Sequence, residues 1–385
     1  MNQHDKNNAV TPFILAIDEF EEYLKQKISG EVFVSIDAFE AYSAVLEEFK
    51  KTILPLRNSA MQQVTDQPPP QRVWVLGAED PEMDAIQLLL TACGEKFVEA
   101  FCDGARVTPA NAYRGDDLSQ PASHVQELVF VECWVKGLSE VSHSHIDHHR
   151  PGDYGYGVAP RNAVRASSLG QTISRLAAGC HPFSTWAEVI DDVFVEDYTD
   201  GPGRILAYDE GVCVRTLDAD TGKLVWRRIP NVLAATAAGD HCLAAAYAGQ
   251  CRGVSVDELR MVRTVAKANF LKIGIGEMLG RLTEARRILS HAPIIKIGDY
   301  DVVDLRGKFV AELPEVACQR GCAYIAEAPP DKARPNDRKI VLGGCGEGTH
   351  PGKGPVEAFL AGAIPELVDL YGDPVRGFAG GYIKG

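Results

Sequence analysis

Apolar runs that alternate with helical patterns predict an open α/β sheet in the middle of the chain. Residues 72–76 and 128–135 are almost wholly apolar, as expected of parallel strands covered on both faces, and residues 97–101 indicate another strand. Helical spacing over residues 85–93 separates the first two strands. Because strands and helices alternate, we expect a mainly parallel sheet, with polar residues at the strands' carboxyl ends facing a ligand.

The flanking segments divide the chain into further parts. A proline-rich break ends an N-terminal extension at residues 1–70, since a helix cannot continue through it. Residues 71–253 form the predicted α/β domain, which contains a β-rich insertion at about 186–230 where apolar runs alternate with turn signals. Helical periodicity over residues 254–291 predicts a linker. It leads into a smaller C-terminal α/β domain, residues 292–385.

Composition and charge narrow the functional classes. The 385 residues include 45% hydrophobic and 24% charged side chains, as in an ordinary folded protein, and the net charge is −14. An acidic surface repels a polyanion, so coating of duplex DNA is not expected, although a bound metal reverses the field inside a cleft. Ten dispersed cysteines indicate reduced thiols, and we recognise no secretory leader or membrane-spanning apolar run. We therefore expect a cytoplasmic protein without membrane contact.

Acid-bearing segments follow or interrupt the apolar strands at four places. Carboxylates and imidazoles that converge at strand ends suit manganese or magnesium better than zinc. Buried carboxylates brought so close would repel one another strongly unless a cation lay between them. The candidate residues, in chain order, are Glu82, Asp84, Glu132, Asp147, His148, His149, Arg150 and Asp240.

The order of these segments resembles that of the DHH superfamily of phosphoesterases. The triplet Asp147, His148, His149 is similar to the signature for which that family is named. An acid pair before the triplet, an acid on a middle strand and a later acid followed by a helix stand in the family order. The small-residue segment 166–170 resembles the helix start that follows the triplet. The similarity covers about residues 72–250, apart from the insertion.

The resemblance implies a metal site and a reaction. Asp147 would orient His148 from behind, and His149 and Arg150 would face the phosphate. The implied activity is hydrolysis of a nucleotide, short oligonucleotide or cyclic dinucleotide by a water activated by one or two Mn²⁺ or Mg²⁺ ions. The implied metal ligands are Glu82, Asp84, Glu132, His148 and Asp240.

Three positions depart from the family pattern. Ala78 stands where the family usually has a histidine ligand, and the longer glutamates Glu82 and Glu132 replace aspartates. His143 and His145 would share one face of an extended segment and are candidates for the missing imidazole. The departures leave two alternatives open: a degenerate nucleotide-binding protein, or a phosphoanhydride hydrolase of the pyrophosphatase or exopolyphosphatase type.

The C-terminal domain is predicted to bind the substrate. Residues 376–381 loosely resemble the family's glycine–histidine motif, and arginine forks suit phosphate oxygens. A glycine-rich loop at residues 343–354 lacks the phosphate-loop pattern, so it either closes over the substrate or merely connects two elements. The oligomeric state stays open, with a homodimer among the expected forms. The substrate-binding candidates are His149, Arg320, Arg338, Arg376, Gly380 and Gly381.

A cysteine pattern in the same region leaves a zinc site open. Cys318 and Cys322 stand four residues apart, and Cys345 and His350 follow. A structural zinc site usually has a second closely spaced ligand pair, which this segment lacks. Free thiols are the favoured interpretation.

Overall fold

A computed structural model describes most of the chain after residue 71. The predicted N-terminal extension, much of the insertion, Arg376 and most of the glycine-rich loop lie outside the described residues. The structure describes residues 72–120, 125–138, 141–178, 189–190, 202–209, 211–217, 223–308, 310, 312–329, 334–344, 354–374 and 377–385.

The first sheet is mainly parallel, as the apolar runs predicted. Its spatial order is β3-β2-β1-β5-β6, and β4 also pairs with β2. The pairs β1–β2, β1–β5 and β5–β6 are parallel, whereas β3 and β4 run antiparallel to β2. The strands are β1 (Arg72–Leu76), β2 (Phe97–Cys102), β3 (Ala105–Arg106), β4 (Asp117–Leu118), β5 (Glu127–Val131) and β6 (Ser142–Ile146).

Strand β5 ends four residues earlier than the apolar run suggested. Its last residue is Val131, and Glu132 follows with a left-handed backbone φ of 52°. A left-handed residue turns the chain out of the extended conformation, so the strand cannot continue through it. Glu132 therefore leaves the sheet at the carboxyl end of β5 instead of lying within the strand.

Three helices follow in this part of the chain: α1 (Pro81–Ala92), α2 (Ala163–Ala166) and α3 (Ser168–Ala178). Helix α1 begins four residues before the predicted start because Asp80 caps it, accepting a 2.7 Å hydrogen bond from the Met83 N–H, with proline in the first turn. Ile86 of α1 and Ile173 of α3 pack with Trp74 in one apolar cluster.

The opposite face of the first sheet is also buried. Val75 and Phe130 pack there with Val107 and Ala112, which belong to the segment between β2 and β4. Burial on both faces explains why β1 and β5 are apolar throughout rather than alternating.

The second sheet is antiparallel and lies where the sequence predicted strands. Its order is β7-β10-β9-β8. Val212 and Val214 of this sheet belong to the same core cluster as Trp74, so the strands share the core of the first sheet. The proposed turn at residues 218–222 lies outside the described residues. The strands are β7 (Val189–Ile190), β8 (Ile205–Tyr208), β9 (Gly211–Leu217) and β10 (Leu224–Ile229).

A helical stretch connects the second and third sheets. The predicted linker is two helices, separated where Lys272 adopts a left-handed φ of 55°. None of the described helices has the length and apolar character needed to cross a membrane. The helices are α4 (Asn231–His241), α5 (Leu243–Tyr247), α6 (Val256–Leu271) and α7 (Ile275–His291).

The C-terminal part is a third, mostly antiparallel sheet with a helix against each of its two apolar clusters. Its order is β11-β12-β13-β14-β16-β15, with β12–β13 parallel. Helix α8 (Leu313–Arg320) and helix α9 (Gly354–Leu360) contribute to the two clusters. The strands are β11 (Ile294–Ile297), β12 (Tyr300–Leu305), β13 (Tyr324–Ala328), β14 (Arg338–Gly343), β15 (Val368–Asp373) and β16 (Phe378–Ile383). The molecule is thus a mixed α/β protein with a parallel-rich first sheet.

Candidate metal centre

The carboxyl ends of three neighbouring parallel strands carry the candidate residues. Strand β1 leads into the first turn of α1, which holds Glu82, and Glu132 directly follows β5. Asp147 and His148 directly follow β6. Helix α4 brings Asp240, its second-last residue, to the same place. This is the edge at which open α/β sheets bind ligands.

Four side chains form a compact group of possible ligands: Glu132, His148, His149 and Asp240. One ligand atom from each lies within 4.8 Å of the others. Nε2 of His148 is 3.2 Å from Oδ2 of Asp240, and Nδ1 of His148 is 3.8 Å from Oε1 of Glu132. Nδ1 of His149 is also 3.8 Å from that glutamate oxygen. Three of these four residues, Glu132, His148 and Asp240, are among the implied metal ligands, whereas His149 was expected to face the phosphate.

Glu82 lies beside this group and is 1% exposed. Its Oε1 accepts a 2.9 Å hydrogen bond from the backbone N–H of Leu169, at the start of α3. Burial raises the pKa of Glu82 well above its usual value, and the neighbouring carboxylates of Asp240 and Glu132 raise it further. Glu82 is therefore held at the site by α3, and its ionisation is opposed by burial and by the other acids.

Among the described residues, three buried polar atoms at the centre make no hydrogen bond of good geometry: Glu82 Oε2, Glu132 Oε1 and His148 Nε2, the last of which only approaches Asp240 Oδ2 at 3.2 Å. Within the part of the chain that the structure describes, no lysine or arginine forms an ion pair with Glu82, Glu132 or Asp240. Buried polar groups are normally satisfied, and buried charges are normally paired or bound to metal. The donor set therefore fits a divalent cation.

The pKa values of Glu132, Asp80 and Asp240 depend on burial and on the charges of the neighbouring acids and imidazoles. Burial raises the pKa of Glu132 to about 8, with Asp240 and Asp80 adding to the rise against the lowering effect of His149. Burial and Asp240 raise the pKa of Asp80 to about 7. Burial also opposes ionisation of Asp240, but the adjacent imidazole of His148 outweighs it, so its pKa lies below the usual value. Negative charge is thus concentrated on Asp240 and disfavoured on its neighbours.

Asp147 holds the segment that carries the two histidines. Its Oδ1 accepts hydrogen bonds from the backbone N–H groups of His148 (2.7 Å) and His149 (3.0 Å), and lies 3.0 Å from the His149 Nδ1. Its Oδ2 accepts a 2.8 Å hydrogen bond from the Tyr113 hydroxyl. Burial acts to raise the pKa of Asp147, but the contacts with His149 and Tyr113 lower it to about 2.

The partners of His148 differ from the expected arrangement. The Asp147 carboxylate contacts the ring of His149 and only the backbone of His148. The His148 Nδ1 lies 3.4 Å from the hydroxyl of Ser168, the first residue of α3. Behind the ring, a Cβ at Gly155 would lie 2.6 Å from the Cβ of His148, so only glycine permits this close approach.

Arg150 lies at the rim of the group. Its guanidinium Cζ is 3.5 Å from the centre of the Tyr113 ring, and its side chain is 47% exposed. The backbone N–H of Arg150 donates a 2.7 Å hydrogen bond to Asp153. Arg150 can therefore meet a ligand that approaches from solvent.

Several predicted residues are not brought into the group. Asp84 is exposed on α1, whereas Asp80 is the residue of that segment that interacts with Asp240. His143 and His145 are exposed on the edge strand β6, where the His145 ring stacks on Trp134 with centroids 5.3 Å apart. The structure thus places neither histidine where it could replace the imidazole that Ala78 lacks.

The two C-terminal arginines that the structure describes have polar partners within the protein. Arg320 donates a 2.5 Å hydrogen bond to Ser290, and Arg338 forms a 2.8 Å ion pair with Glu327. Gly380 and Gly381 are buried in β16; a Cβ on Gly380 would lie 2.3 Å from the Tyr371 ring, and one on Gly381 would lie 2.8 Å from Leu370. Close packing accounts for both glycines.

The zinc alternative gains no further ligand from the described chain. Cys318 is buried and Cys322 is half-buried. Within the described ranges no three-ligand group forms around these two thiols. Cys345 and His350 lie outside those ranges.

Three residues at the centre were not among the predicted site residues: Asp80, Tyr113 and Ser168, although Asp80 belongs to the first acid-bearing segment and Ser168 to segment 166–170. An aspartate followed by proline at a helix start is a recognisable cap, so Asp80 carried a usable signal. Tyr113 is 34 residues away from Asp147 and no local pattern marks it. Its role depends on the tertiary structure alone.

No family model matches the chain, and no curated protein matches it either. The resemblance to DHH phosphoesterases therefore rests on the residues described above.

Proposed function

We propose that the protein is a metal-dependent phosphoesterase that hydrolyses a nucleotide, a short oligonucleotide or a cyclic dinucleotide. The observation that carries this proposal is the buried group of carboxylates and imidazoles around Glu132, His148 and Asp240, for which no lysine or arginine of the described residues supplies an ion pair. Carboxylate oxygens with one or two imidazoles suit Mn²⁺ or Mg²⁺. The resemblance of the triplet and its flanking acids to the DHH superfamily supplies the reaction class.

The chain's own residues have distinct tasks in this proposal. When bound, a divalent cation would polarise a phosphoryl oxygen and lower the pKa of an attacking water. Glu82, Glu132, His148 and Asp240 would hold the cation. His149, with its side chain 29% exposed, and Arg150 would donate hydrogen bonds to phosphoryl oxygens as charge develops on them. The cytoplasm is the proposed compartment.

The size of the substrate follows from charge. A net charge of −14 disfavours contact between a long polyanion and the surface beyond the local site, within the roughly 8 Å range that salt leaves unscreened. Because the favourable charge would be confined to the metal, His149 and Arg150, a small phosphoester gains most of the available attraction. A long polynucleotide or polyphosphate would place further phosphates against an acidic protein.

A second candidate is a nucleotide-binding protein without turnover. Ala78 is 8% exposed and buried beside the centre, and neither His143 nor His145 takes the place of the absent ligand. A centre with fewer ligands can bind one cation and a nucleotide without assembling a second metal. Counting bound Mn²⁺ by titration calorimetry and elemental analysis separates one ion from two.

The test of the proposed function is Mn²⁺-dependent product release from nucleotides, short oligonucleotides, cyclic dinucleotides and pyrophosphate. Wild type is compared with His148→Ala and with the matched control His143→Ala, which removes an exposed imidazole outside the group. We expect turnover that requires Mn²⁺, survives in His143→Ala and disappears in His148→Ala. Absence of turnover on the whole panel by folded, Mn²⁺-loaded protein would refute the phosphoesterase and favour the nucleotide-binding protein.

A further inference from the structure

Tyr113 contacts two residues of the candidate centre with two different parts of its side chain. Its hydroxyl donates to the Asp147 Oδ2, and its ring lies 3.5 Å beneath the Arg150 Cζ. We propose that Tyr113 is a positioning residue that fixes Asp147 with its hydroxyl and Arg150 with its ring. The hydroxyl would then set the affinity for the metal, and the ring the affinity for an anionic phosphoryl group.

The hydroxyl completes the hydrogen bonding of a buried carboxylate. Asp147 is 3% exposed, and three nitrogen atoms of His148 and His149 surround its Oδ1. Among the described residues, the hydroxyl of Tyr113 is the one hydrogen-bond donor to Oδ2. Loss of the hydroxyl would leave Oδ2 unsatisfied, and the carboxylate would reorient together with the histidine segment it holds. Groups that support metal ligands in this way typically change metal affinity by about 10- to 100-fold.

The ring determines how Arg150 presents its donors. A guanidinium stacked on an aromatic ring uses its flat face, so the in-plane N–H groups stay directed outward. Among the described residues, the guanidinium has an ion-pair contact with Asp153, whose Oδ2 is 4.0 Å from the Arg150 Nε, at the limit of such a contact. The ring of Tyr113, at 3.5 Å from Cζ, contacts the guanidinium more closely than this carboxylate does.

The backbone around Tyr113 is anchored to the segment that carries Glu132. Tyr113 lies in a short 3₁₀ turn, Ala112–Arg114. The Trp134 N–H donates to the carbonyl of Ala112 (3.0 Å), and the Gly115 N–H donates to the carbonyl of Trp134 (3.0 Å). These two bonds flank Tyr113, so its position depends on the backbone and not on its own hydroxyl. We therefore expect Tyr113→Phe to fold as wild type does.

The test uses full-length protein and two binding measurements that require no turnover. Mn²⁺ binding is measured by calorimetry, and binding of inorganic phosphate to the Mn²⁺-loaded protein is measured in the same way. The variants are Tyr113→Phe, Tyr113→Leu, Arg150→Ala and the double variant Tyr113→Leu with Arg150→Ala. Tyr154→Phe is the matched control, because Tyr154 is 64% exposed and lies in the same loop as Arg150.

Tyr113→Phe is expected to weaken Mn²⁺ binding about 10-fold while phosphate binding at saturating Mn²⁺ stays at the wild-type level. Tyr113→Leu is expected to weaken Mn²⁺ binding equally and to weaken phosphate binding as much as Arg150→Ala does. The double variant should then lose no more phosphate affinity than either single variant. Tyr154→Phe should match wild type in both measurements.

Two results would overturn the inference: wild-type Mn²⁺ affinity in Tyr113→Phe, or additive losses of phosphate affinity in the double variant. Thermal unfolding without metal identifies any variant that has lost its fold. If Tyr113→Leu does not fold, the Mn²⁺ affinity of Tyr113→Phe alone tests the inference. The phosphate-binding role rests on the proposed function. The binding measurements nevertheless distinguish a failure of the positioning role from a failure of the phosphoesterase proposal. Mn²⁺ binding that depends on Tyr113, without hydrolysis of any substrate, would refute the phosphoesterase and support the positioning role. Absence of any Mn²⁺ binding would refute both.

Discussion

Two regions of the molecule bury carboxylates to a similar degree but differ in whether a lysine or arginine forms an ion pair with them. The first is the candidate metal centre, where Glu82 and Glu132 are 1% and 8% exposed. The second lies between α6 and α8, where Glu312 and Glu315 are 1% and 4% exposed. We refer to the second region as the α6–α8 ion cluster; it also contains Arg263, Lys267 and Tyr247.

In the α6–α8 ion cluster each acid has a cation of the protein as its partner. Lys267 forms an ion pair with Glu312, and Arg263 donates two hydrogen bonds of 3.2 and 3.0 Å to one oxygen of Glu315. Tyr247 donates to the other oxygen of Glu315. Burial acts to lower the pKa of Arg263, but the charge of Glu315 outweighs it and raises that pKa. Both acids thus have a cation of the protein as ion-pair partner, and both oxygens of Glu315 accept hydrogen bonds, although the Glu312 Oε2 contacts Lys267 without a hydrogen bond of good geometry.

At the candidate metal centre the acids face one another and two imidazoles. Asp240 adds to the raised pKa of Arg263, yet Arg263 forms its ion pair with Glu315 and not with Asp240. Burial alone therefore does not distinguish a structural acid from a metal ligand. The distinguishing property is whether the protein itself supplies the opposite charge.

The largest expected effect comes from removing a cation of the α6–α8 ion cluster. Arg263→Met leaves Glu315 buried without its ion-pair partner, which should cost about 3–5 kcal/mol of unfolding free energy in urea titrations. The matched control is Arg260→Met on the same helix, whose exposed ion pair with Asp257 should be worth under about 1 kcal/mol. Equal and small losses in the two variants would contradict the contrast between the two regions.

Removing an acid of the candidate metal centre should raise the unfolding free energy, rather than lower it, when no metal is present. Glu132→Gln eliminates a repelled buried carboxylate, so in EDTA at pH 8 it should unfold at a higher urea concentration than wild type. With Mn²⁺ at 100 times its Kd, wild type should gain about 2.7 kcal/mol, and the variant should lose most of that gain. A variant destabilised in EDTA and still fully responsive to Mn²⁺ would show that Glu132 has a structural role.

The pH dependence of the unfolding free energy should also distinguish the metal-free from the Mn²⁺-bound state of the centre. The pKa values of Glu132 (about 8) and Asp80 (about 7) lie above the usual values of 4.5 and 3.8, so the metal-free folded state binds these protons more tightly than the unfolded state. Their contribution is present below the unfolded pKa and is lost as the pH rises through 7 to 8. Unfolding in EDTA from pH 5 to 9 should therefore show stability falling with pH.

Two controls sharpen this measurement. Glu132→Gln should reduce the fall in unfolding free energy between pH 5 and 9. Asp147 should not contribute to this fall, because its pKa is lowered to about 2 and its contribution is lost only in stronger acid. Mn²⁺ affinity should rise with pH, since binding displaces the protons, by up to about tenfold per pH unit for each proton released. A metal-free protein whose stability rises across this range would contradict the proposed charge distribution.

The smallest expected effect concerns the two aspartates at the start of α1. Asp80→Asn keeps a helix cap but removes a charge that interacts with Asp240, so it should weaken Mn²⁺ binding several-fold with little loss of stability. Asp84→Asn alters an exposed residue and should weaken Mn²⁺ binding less. The reverse order in calorimetry would restore Asp84 as the ligand that the family resemblance implies.

The local apolar patterns predicted the framework of the site correctly. Strand β1 has the predicted bounds, β2 extends one residue further, and the acids stand at strand ends because a parallel strand covered on both faces must be apolar until it leaves the core. Glu132 was conspicuous for the same reason, as an acid adjoining an apolar run. The residue order along the chain therefore predicted strands β1, β2 and β5 and most of the candidate ligands, but not the polar edge strand β6, whose sequence SHSHI has no apolar run.

The tertiary structure decided which polar groups face one another. It turned Glu132 out of β5, brought Asp80 rather than Asp84 toward Asp240, and placed Tyr113 beneath Arg150. Each of these contacts joins segments that are far apart in the chain or depends on a single backbone turn, so no local periodicity records it. The ion pair of Arg263 with Glu315 likewise forms only when α6 and α8 come together, so among the described residues Arg263 pairs with this acid and not with those of the candidate metal centre.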